Sequence, residues 1–268
     1  MRSRILGLGL IMAAVVATAA FAPALLAQTP ARPGAAKPAT DLSGVWDRPR
    51  APGDVALGAA DAQATERRRG NIPRQVFTRE EPPMTPWAAE KFKAAREGKE
   101  DDYEDGRDEL DPSYNCFPPG TPRVFTIPRP FEIRQLSDVV LLLFEPHSTV
   151  RRIHTDGRGH PDGYPITWMG HSIGKWDGDT LVADTTGIND KTWLDALGHP
   201  HSDALRVVER FRRPNHDTLE IDFLFDDPKA YTRPWTGQKI YQLMPPGFEV
   251  MEDFTCDDLL ELGRTRRQ

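Results

Sequence analysis

The chain lacks the short motifs that mark several large enzyme classes. It has no P-loop, no G-x-G-x-x-G and no H-E-x-x-H. Residues 170–174 (GHSIG) imitate a nucleophile elbow, but they run into a predicted strand rather than into a helix. Serine-hydrolase chemistry is therefore disfavoured.

Positive charge is also in short supply. The chain has 34 Lys and Arg against 40 Asp and Glu, which gives a formal net charge of -6. A net-acidic chain is a poor binder of polyphosphates. We therefore expect a small-molecule substrate or ligand as the partner and no nucleic acid.

One long apolar run is present, near the start of the chain. Residues 5–21 are uncharged, follow Arg2 and Arg4, and precede small residues around Ala24 and Ala27. This pattern predicts a secretory signal peptide at residues 1–27 and a periplasmic or secreted protein without stable membrane insertion. The alternative is an uncleaved membrane anchor. No cysteine follows the run, which disfavours a lipid anchor.

Cysteine is scarce, and Cys116 and Cys256 are the only two. An exported chain enters an oxidising compartment in which thiols pair. We therefore predict a Cys116–Cys256 disulfide, with two buried free thiols as the alternative.

The rest of the chain is predicted to form one β-rich domain, residues 41–268, after a flexible Pro/Ala-rich leader at 28–40. Thr85 and Pro86 predict the start of a helix that Gly98 ends. Residues 51–79 are polar and without an assigned structure. Seven acidic residues between 100 and 109 indicate a solvated loop or, alternatively, a calcium site.

Short apolar runs separated by turn residues dominate the chain beyond Cys116. Leu219, Ile221, Phe223 and Phe225 fall on one face and Glu220 and Asp222 on the other, as in a half-buried strand. Ten such runs and a single helix predict an all-β fold, an antiparallel barrel or sandwich. The runs are 124–127, 131–136, 139–145, 150–154, 171–176, 180–185, 205–211, 219–225, 239–243 and 248–254.

All histidines of the chain lie in a narrow window, between His147 and His216. The same window holds two long irregular segments, 156–169 and 187–203, and loops of that length are often functional. Both segments are rich in residue types that transfer protons, orient imidazoles or stack on rings. Residues 171–176 and 180–185 predict a hairpin with Asp177 and Gly178 at its tip, which places His171 and Thr185 at the same end. We therefore expect the two loops to meet at one end of the barrel and to bring His171 and His201 to a shared cleft.

The first loop supplies four candidate site residues. His171 follows it at the start of a strand and is a candidate proton-transfer residue. Arg158 suits a carboxylate or an oxyanion because its guanidinium offers a fork of donors. His160 and Trp168 are candidate substrate-binding residues. The alternative for all four is a structural role in fixing the loop.

The second loop supplies the remaining candidates. His199, His201 and Asp203 alternate, so an extended chain projects them to one side. His201 is the second candidate proton-transfer residue, with Asp195 or Asp203 orienting an imidazole and Trp193 as a substrate-binding wall. We expect no metal; the alternative is zinc at His171, His199 and His201. Capping of the loop is the structural alternative.

Several stretches resemble a large family of exported, β-rich proteins of soil bacteria. They are residues 167–182 (TWMGHSIGKWDGDTLV), 190–195 (DKTWLD), 200–205 (PHSDAL) and 227–232 (DPKAYT). The resemblance runs from about Asp41 to Cys256 and implies export and a β-rich domain. The family carries no assigned reaction, so no catalytic residue is transferred. Gly44-x-Trp46 and the number of strands are similar to lipocalin-like barrels.

Two functional hypotheses follow. The first is a periplasmic enzyme that uses His/Asp acid–base chemistry, as a lyase, hydratase, isomerase or hydrolase, on a small organic or sugar-derived metabolite. The second is a non-catalytic, lipocalin-like small-molecule binding protein. Converging imidazole and carboxylate groups favour the first, whereas an apolar cavity favours the second.

Overall fold

The computed structural model describes residues 40–48, 75–97 and 111–252, all of which belong to one compact unit. Several predictions lie outside these residues. They concern the signal peptide, the leader up to residue 39, the segment 51–74, the acidic cluster, and Cys256 with its predicted disulfide.

Nine strands and one α-helix form the regular structure of the described residues. The helix, α1, spans Pro86–Arg96. The strands are β1 Gly44–Asp47, β2 Phe131–Gln135, β3 Val139–Phe144, β4 Thr149–His154, β5 His171–Asp177, β6 Thr180–Thr186, β7 Arg206–Asn215, β8 Thr218–Asp226 and β9 Trp235–Leu243.

The strands form a closed barrel in chain order, and β1 closes it by pairing with both β2 and β9. All neighbours are antiparallel except β4 and β5, which are parallel. Parallel neighbours need a long return connection, and residues 155–170 supply it. The prediction of an all-β antiparallel barrel with one helix is therefore confirmed, with one parallel pair that the sequence did not indicate.

Alternation of side chains decides which groups enter the barrel. Leu219, Ile221, Phe223 and Phe225 of β8 are at most 1% exposed. The same alternation in β5 and β6 directs Ser172 and Thr185 inward. Their neighbours His171 and Thr186 therefore lie on the outer face.

The β5–β6 hairpin was predicted from its Asp-Gly turn, and the structure confirms it. Asp177 pairs with Thr180, so Gly178 and Asp179 form the tip. Gly178 has φ +60°, a left-handed conformation that glycine adopts without strain. At the other end of the hairpin His171 pairs with Thr186, which fixes where both long loops begin or end.

The barrel interior is filled by segments that precede the main strands. A 3₁₀ turn at Arg123–Thr126 is fully buried, and its Phe125 packs edge-on against Phe144 and Phe223. Phe77 packs against Phe223 from a separate segment. The predicted strand at 124–127 was therefore wrong, because this short apolar run enters the barrel as a plug.

The ion pair between Arg151 and Glu209 lies among the apolar side chains of the interior. Arg151 and Glu209 are at most 1% exposed, and Arg151 Nη1 donates to Glu209 Oε1 at 2.6 Å. Arg151 Nη2 donates to Thr185 Oγ1 at 2.8 Å, and Nε donates to Ser172 Oγ at 3.2 Å. A second Nη2 bond reaches the other Glu209 oxygen. The Arg151 guanidinium and both Glu209 carboxylate oxygens are therefore hydrogen-bonded within the barrel.

Helix α1 begins as predicted. Thr85 Oγ1 accepts a hydrogen bond from the Ala88 amide at 3.3 Å, and Pro86 is the first helical residue. The Thr85 hydroxyl also donates to the Lys229 carbonyl at 3.0 Å, which ties the helix to the β8–β9 connection. Among the described residues no helix is long and apolar enough to cross a bilayer.

Candidate functional site

The second long loop folds back on itself to form a tight turn. Trp193 and Pro200 form an antiparallel bridge, and the Leu194 amide donates to the His199 carbonyl at 2.8 Å. Inside this turn Asp195 Oδ1 accepts from the Leu197 amide at 3.0 Å. The Asp195 carboxylate is therefore fixed by the backbone of its own turn.

The fixed carboxylate holds one imidazole. Asp195 Oδ2 lies 2.7 Å from Nδ1 of His199, and the two residues are 1% and 3% exposed. Phe92 of α1 stacks on the imidazole with ring centroids 4.3 Å apart and planes 7° apart. Because Nδ1 donates its proton to Asp195, the ring presents Nε2 on its opposite side.

The protonation of His199 is set by its partners. Burial by itself lowers the pKa of an imidazole, but the charge of Asp195 and its hydrogen bond outweigh burial. With a smaller contribution from Glu81, they raise the pKa of His199 to about 9. The residue is therefore an imidazolium at neutral pH, with a proton on each ring nitrogen.

Nε2 of His199 is the unsatisfied atom of this group. It is buried and has no hydrogen-bond partner among the described residues. Glu81 Oε1 lies 3.6 Å away, an ion-pair distance that is too long for a hydrogen bond. A cavity of about 390 Å³ opens here; besides His199 it is lined by Val76, Thr78, Arg79, Glu80, Glu81 and Leu197.

This arrangement has the parts of a proton-transfer site. A buried carboxylate orients an imidazole, the imidazole offers a proton at Nε2, and a second carboxylate stands on the far side of that proton. Glu81 is 64% exposed, so its side chain is free to move aside for a ligand. A small molecule in the cavity is thus able to meet a donor and an acceptor together.

The neighbouring Tyr231 has a structural role. Its hydroxyl donates to the Pro200 carbonyl at 2.8 Å, and burial raises its pKa, so it remains a neutral donor. This bond holds the far side of the turn that carries Asp195 and His199.

The first loop forms a separate histidine group on the outer face of the barrel. Nδ1 of His160 lies 2.9 Å from Nδ1 of His171. Tyr164 and His154 pack on the His171 ring, with centroids 4.6 Å and 5.6 Å away. Two predicted site residues are thus brought into contact, on the outer face of the barrel.

Arg158 has a partner of its own in the same loop. Its Nε and Nη2 donate to the Asp156 carboxylate, at 2.9 Å and 2.7 Å, and the bonds raise the pKa of Arg158. The guanidinium fork that suited a substrate oxyanion is therefore engaged by Asp156.

His201 lies deep inside the second loop. Its Nδ1 donates to the Ser202 carbonyl at 3.2 Å, so Nε2 accepts from the Thr192 hydroxyl at 3.0 Å. Burial lowers the pKa of His201, which keeps the ring neutral. Within the described residues no hydrogen bond or ring contact joins His201 to His171.

The remaining predicted residues lie apart from one another. Asp203 is exposed and pairs with Lys229 at 2.6 Å, which lowers the pKa of Asp203. Trp168 contacts Phe117, with ring centroids 5.4 Å apart. Trp193 is half-buried beside Gly198, where a Cβ would stand 3.7 Å from the indole. Asp195 is the predicted residue that lies in the His199 group.

The described part of the chain contains no cluster of three His, Cys, Asp or Glu side chains that is suited to a metal ion. The three histidines of the zinc alternative have different partners: His160 for His171, Asp195 for His199 and Thr192 for His201. The geometry therefore gives the zinc alternative no support.

Two members of the His199 group were not identified from the sequence. Glu81 and Phe92 come from a segment far earlier in the chain, and no spacing pattern connects them to residue 199. The pairing of Asp195 with His199 had a detectable signal, because Gly198 between them indicates a turn rather than an extended strand.

The two loops do meet, as expected from the hairpin. Thr167 of the first loop forms a parallel bridge with Ile188 of the second. The Thr167 amide donates to the Gly187 carbonyl, and the Asn189 amide donates back to Thr167, both at 2.9 Å. The contact joins the loops at their bases, while their histidine groups have separate partners.

Comparison of the chain with protein-family models, with curated proteins and with solved structures found no match. The function of the chain is therefore inferred from the geometry of its side chains.

Proposed function

We propose that this protein is an acid–base enzyme that acts on a small organic molecule bound in front of His199. His199 donates a proton from Nε2, Asp195 holds the imidazole in position, and Glu81 is the nearest group to accept a proton. The observation that carries the proposal is the buried Asp195–His199 bond, which leaves Nε2 without a hydrogen-bond partner on a residue that lines a cavity.

The reaction class follows from what surrounds the imidazole. Among the described residues no serine, threonine or cysteine is hydrogen-bonded to His199. Without an activated nucleophile, the site favours reactions in which one group removes a proton from the substrate and another donates a proton to it, over a covalent intermediate. Isomerisation, elimination and hydration are reactions of this kind, and a carbonyl or hydroxyl oxygen is the natural acceptor for the Nε2 proton.

The alternative of a carrier that holds its ligand inside the barrel has weaker support. Phe125 and Phe77 occupy the interior and contact the ring of Phe223. A lipocalin-like carrier needs that volume for its ligand. We therefore place the ligand in the cavity beside His199, outside the strand lining.

Export remains part of the proposal. The apolar segment at residues 5–21 and the two cysteines favour a periplasmic or secreted enzyme with a Cys116–Cys256 disulfide. Thiol titration of the denatured, unreduced mature protein tests the disulfide, and two free thiols per chain would disprove it.

Solvent exchange tests the reaction class without a known substrate. The protein is incubated in D₂O with a panel of small carbonyl and hydroxy compounds, and deuterium entry into C–H positions is followed by NMR. We expect exchange in at least one compound with wild type, and a loss of about 10²-fold or more in His199→Gln and Glu81→Gln. His216→Gln, a change at an exposed turn residue, is the matched control and should keep the activity. Full activity of His199→Gln would refute the proposal.

A further inference from the structure

The connection between β4 and β5 has few attachments to the barrel. Residues 157–159 and 161–166 are exposed, and among residues 157–166 no backbone group is hydrogen-bonded to a strand. The backbone becomes anchored at Thr167, through Gly187 and Asn189. In the middle of the segment the side chain of His160 is the half-buried exception.

His160 attaches the segment through a contact that depends on protons. Its Nδ1 faces Nδ1 of His171 at 2.9 Å, so one nitrogen must donate and the other must accept. A pair that carries one extra proton keeps this bond, because a protonated imidazole donates to a neutral one. When both rings are protonated, two N–H groups and two positive charges face each other, and the bond is lost.

We propose that the His160–His171 pair is an acid-sensitive latch, which holds residues 157–166 against the outer face of the barrel and releases them when both imidazoles are protonated. This inference is independent of the proposed reaction, because it uses other residues.

The charges around the pair make His171 the group that decides release. Burial, the neighbouring imidazoles His160 and His154, and the Arg158 guanidinium all lower the pKa of His171 below 6.5. The Asp184 carboxylate lies on the other side, 3.9 Å from Nε2 of His160, and is itself paired with Arg206. The other charged groups of the neighbouring elements act on His154: Arg152 lowers its pKa, whereas Asp156 and Asp138 raise it.

The sign of the effect follows from these shifts. A histidine whose pKa is lowered in the closed state contributes stability above its ordinary pKa of 6.5 and loses it as the pH falls further. The latch is therefore closed at neutral pH and opens in acid. Tyr164, which packs on the His171 ring, leaves with the segment.

Limited proteolysis of the full chain tests the latch. Trypsin cleaves after Arg158 if the segment is released, and its rate at each pH is normalised to an unstructured peptide with the same Arg-Gly bond. We expect the normalised rate to rise about tenfold between pH 7.5 and pH 5, the order of effect that losing one hydrogen bond produces. His216→Gln should show the same rise.

The variant His160→Gln separates the latch from general acid unfolding. A glutamine amide is able to donate to neutral His171 or to accept from protonated His171, so the rise should shrink to less than about twofold. A full rise in His160→Gln, or no rise in wild type, would overturn the proposal. Release at pH 7.5 by EDTA alone would also overturn it, since a bound metal would then join the two nitrogens.

Discussion

The interior pair Arg151–Glu209 and the loop pair Asp195–His199 are both buried ionic groups. They differ in whether a polar side-chain atom remains without a hydrogen bond. Around Arg151 the two carboxylate oxygens and two hydroxyl groups receive hydrogen bonds from the guanidinium. Around His199 the Nδ1 atom is hydrogen-bonded to Asp195, whereas Nε2 has no hydrogen bond and lies 3.6 Å from Glu81. A closed set of partners stabilises a fold, whereas an unsatisfied buried donor beside a cavity is available to a ligand.

The largest loss of stability is expected when one partner of the Arg151–Glu209 pair is removed. Glu209→Ala leaves the Arg151 guanidinium charged and unpaired inside the barrel, which should cost about 3 to 5 kcal/mol of unfolding free energy. Urea unfolding measures the change. Glu220→Ala, which removes a partner of Arg212 on the surface, should cost about 0 to 1 kcal/mol. Equal losses in the two variants would mean that the interior pair is not a closed structural group.

The second prediction concerns the pH dependence of stability. A pKa of about 9 in the folded state, against 6.5 when unfolded, means that His199 contributes stability that is complete below pH 6.5. This contribution, about 3 kcal/mol, is lost as the pH rises through 9. Urea unfolding at pH 6 and pH 9.5 measures it.

Asp195→Asn is the variant that sharpens this result. Asparagine keeps an oxygen in place but removes the charge that raises the pKa of His199, so the decline between pH 6 and pH 9.5 should largely disappear. His216→Gln should decline as wild type does. An unchanged decline in Asp195→Asn would assign the pH dependence to other groups.

The success of the fold prediction can be traced to particular residues. Leu219, Ile221, Phe223 and Phe225 share one face of the strand, so burial of that face left a single register for β8. The strand predicted at residues 124–127 was wrong because a short apolar run has the same sequence pattern whether it forms a strand or a buried turn. The space inside the barrel determines whether such a run becomes a strand or a turn. That space is defined by strands later in the chain.

The site was predicted less well than the fold, and the reason is conformational. His199 and His201 were placed on one face under the assumption of an extended chain, whereas residues 195–199 turn. Because of this turn, Asp195 contacts the imidazole of His199, whereas His201 is hydrogen-bonded to Thr192. Glu81 and Phe92 reach His199 through the fold, which no local pattern in the sequence encodes.

The smallest effect is expected from the aromatic contact on His199. Phe92→Leu removes a stacked ring but keeps an apolar side chain, and should cost about 1 kcal/mol of unfolding free energy. Because the imidazole is also held by Asp195, deuterium exchange should fall by only about tenfold or less. A loss as large as that of His199→Gln would show that the Phe92 ring, and not the carboxylate, positions the imidazole.

The most direct test of the account is a pH titration of the His199 side chain by ¹⁵N NMR in the folded, full-length protein, with His199→Gln to assign its signals. We predict an imidazolium at pH 7, protonated at both nitrogens, that loses its proton with a pKa near 9. In Asp195→Asn the same signals should titrate at a clearly lower pH. A neutral ring at pH 7 in the wild type would contradict the claim that His199 presents a proton to the cavity.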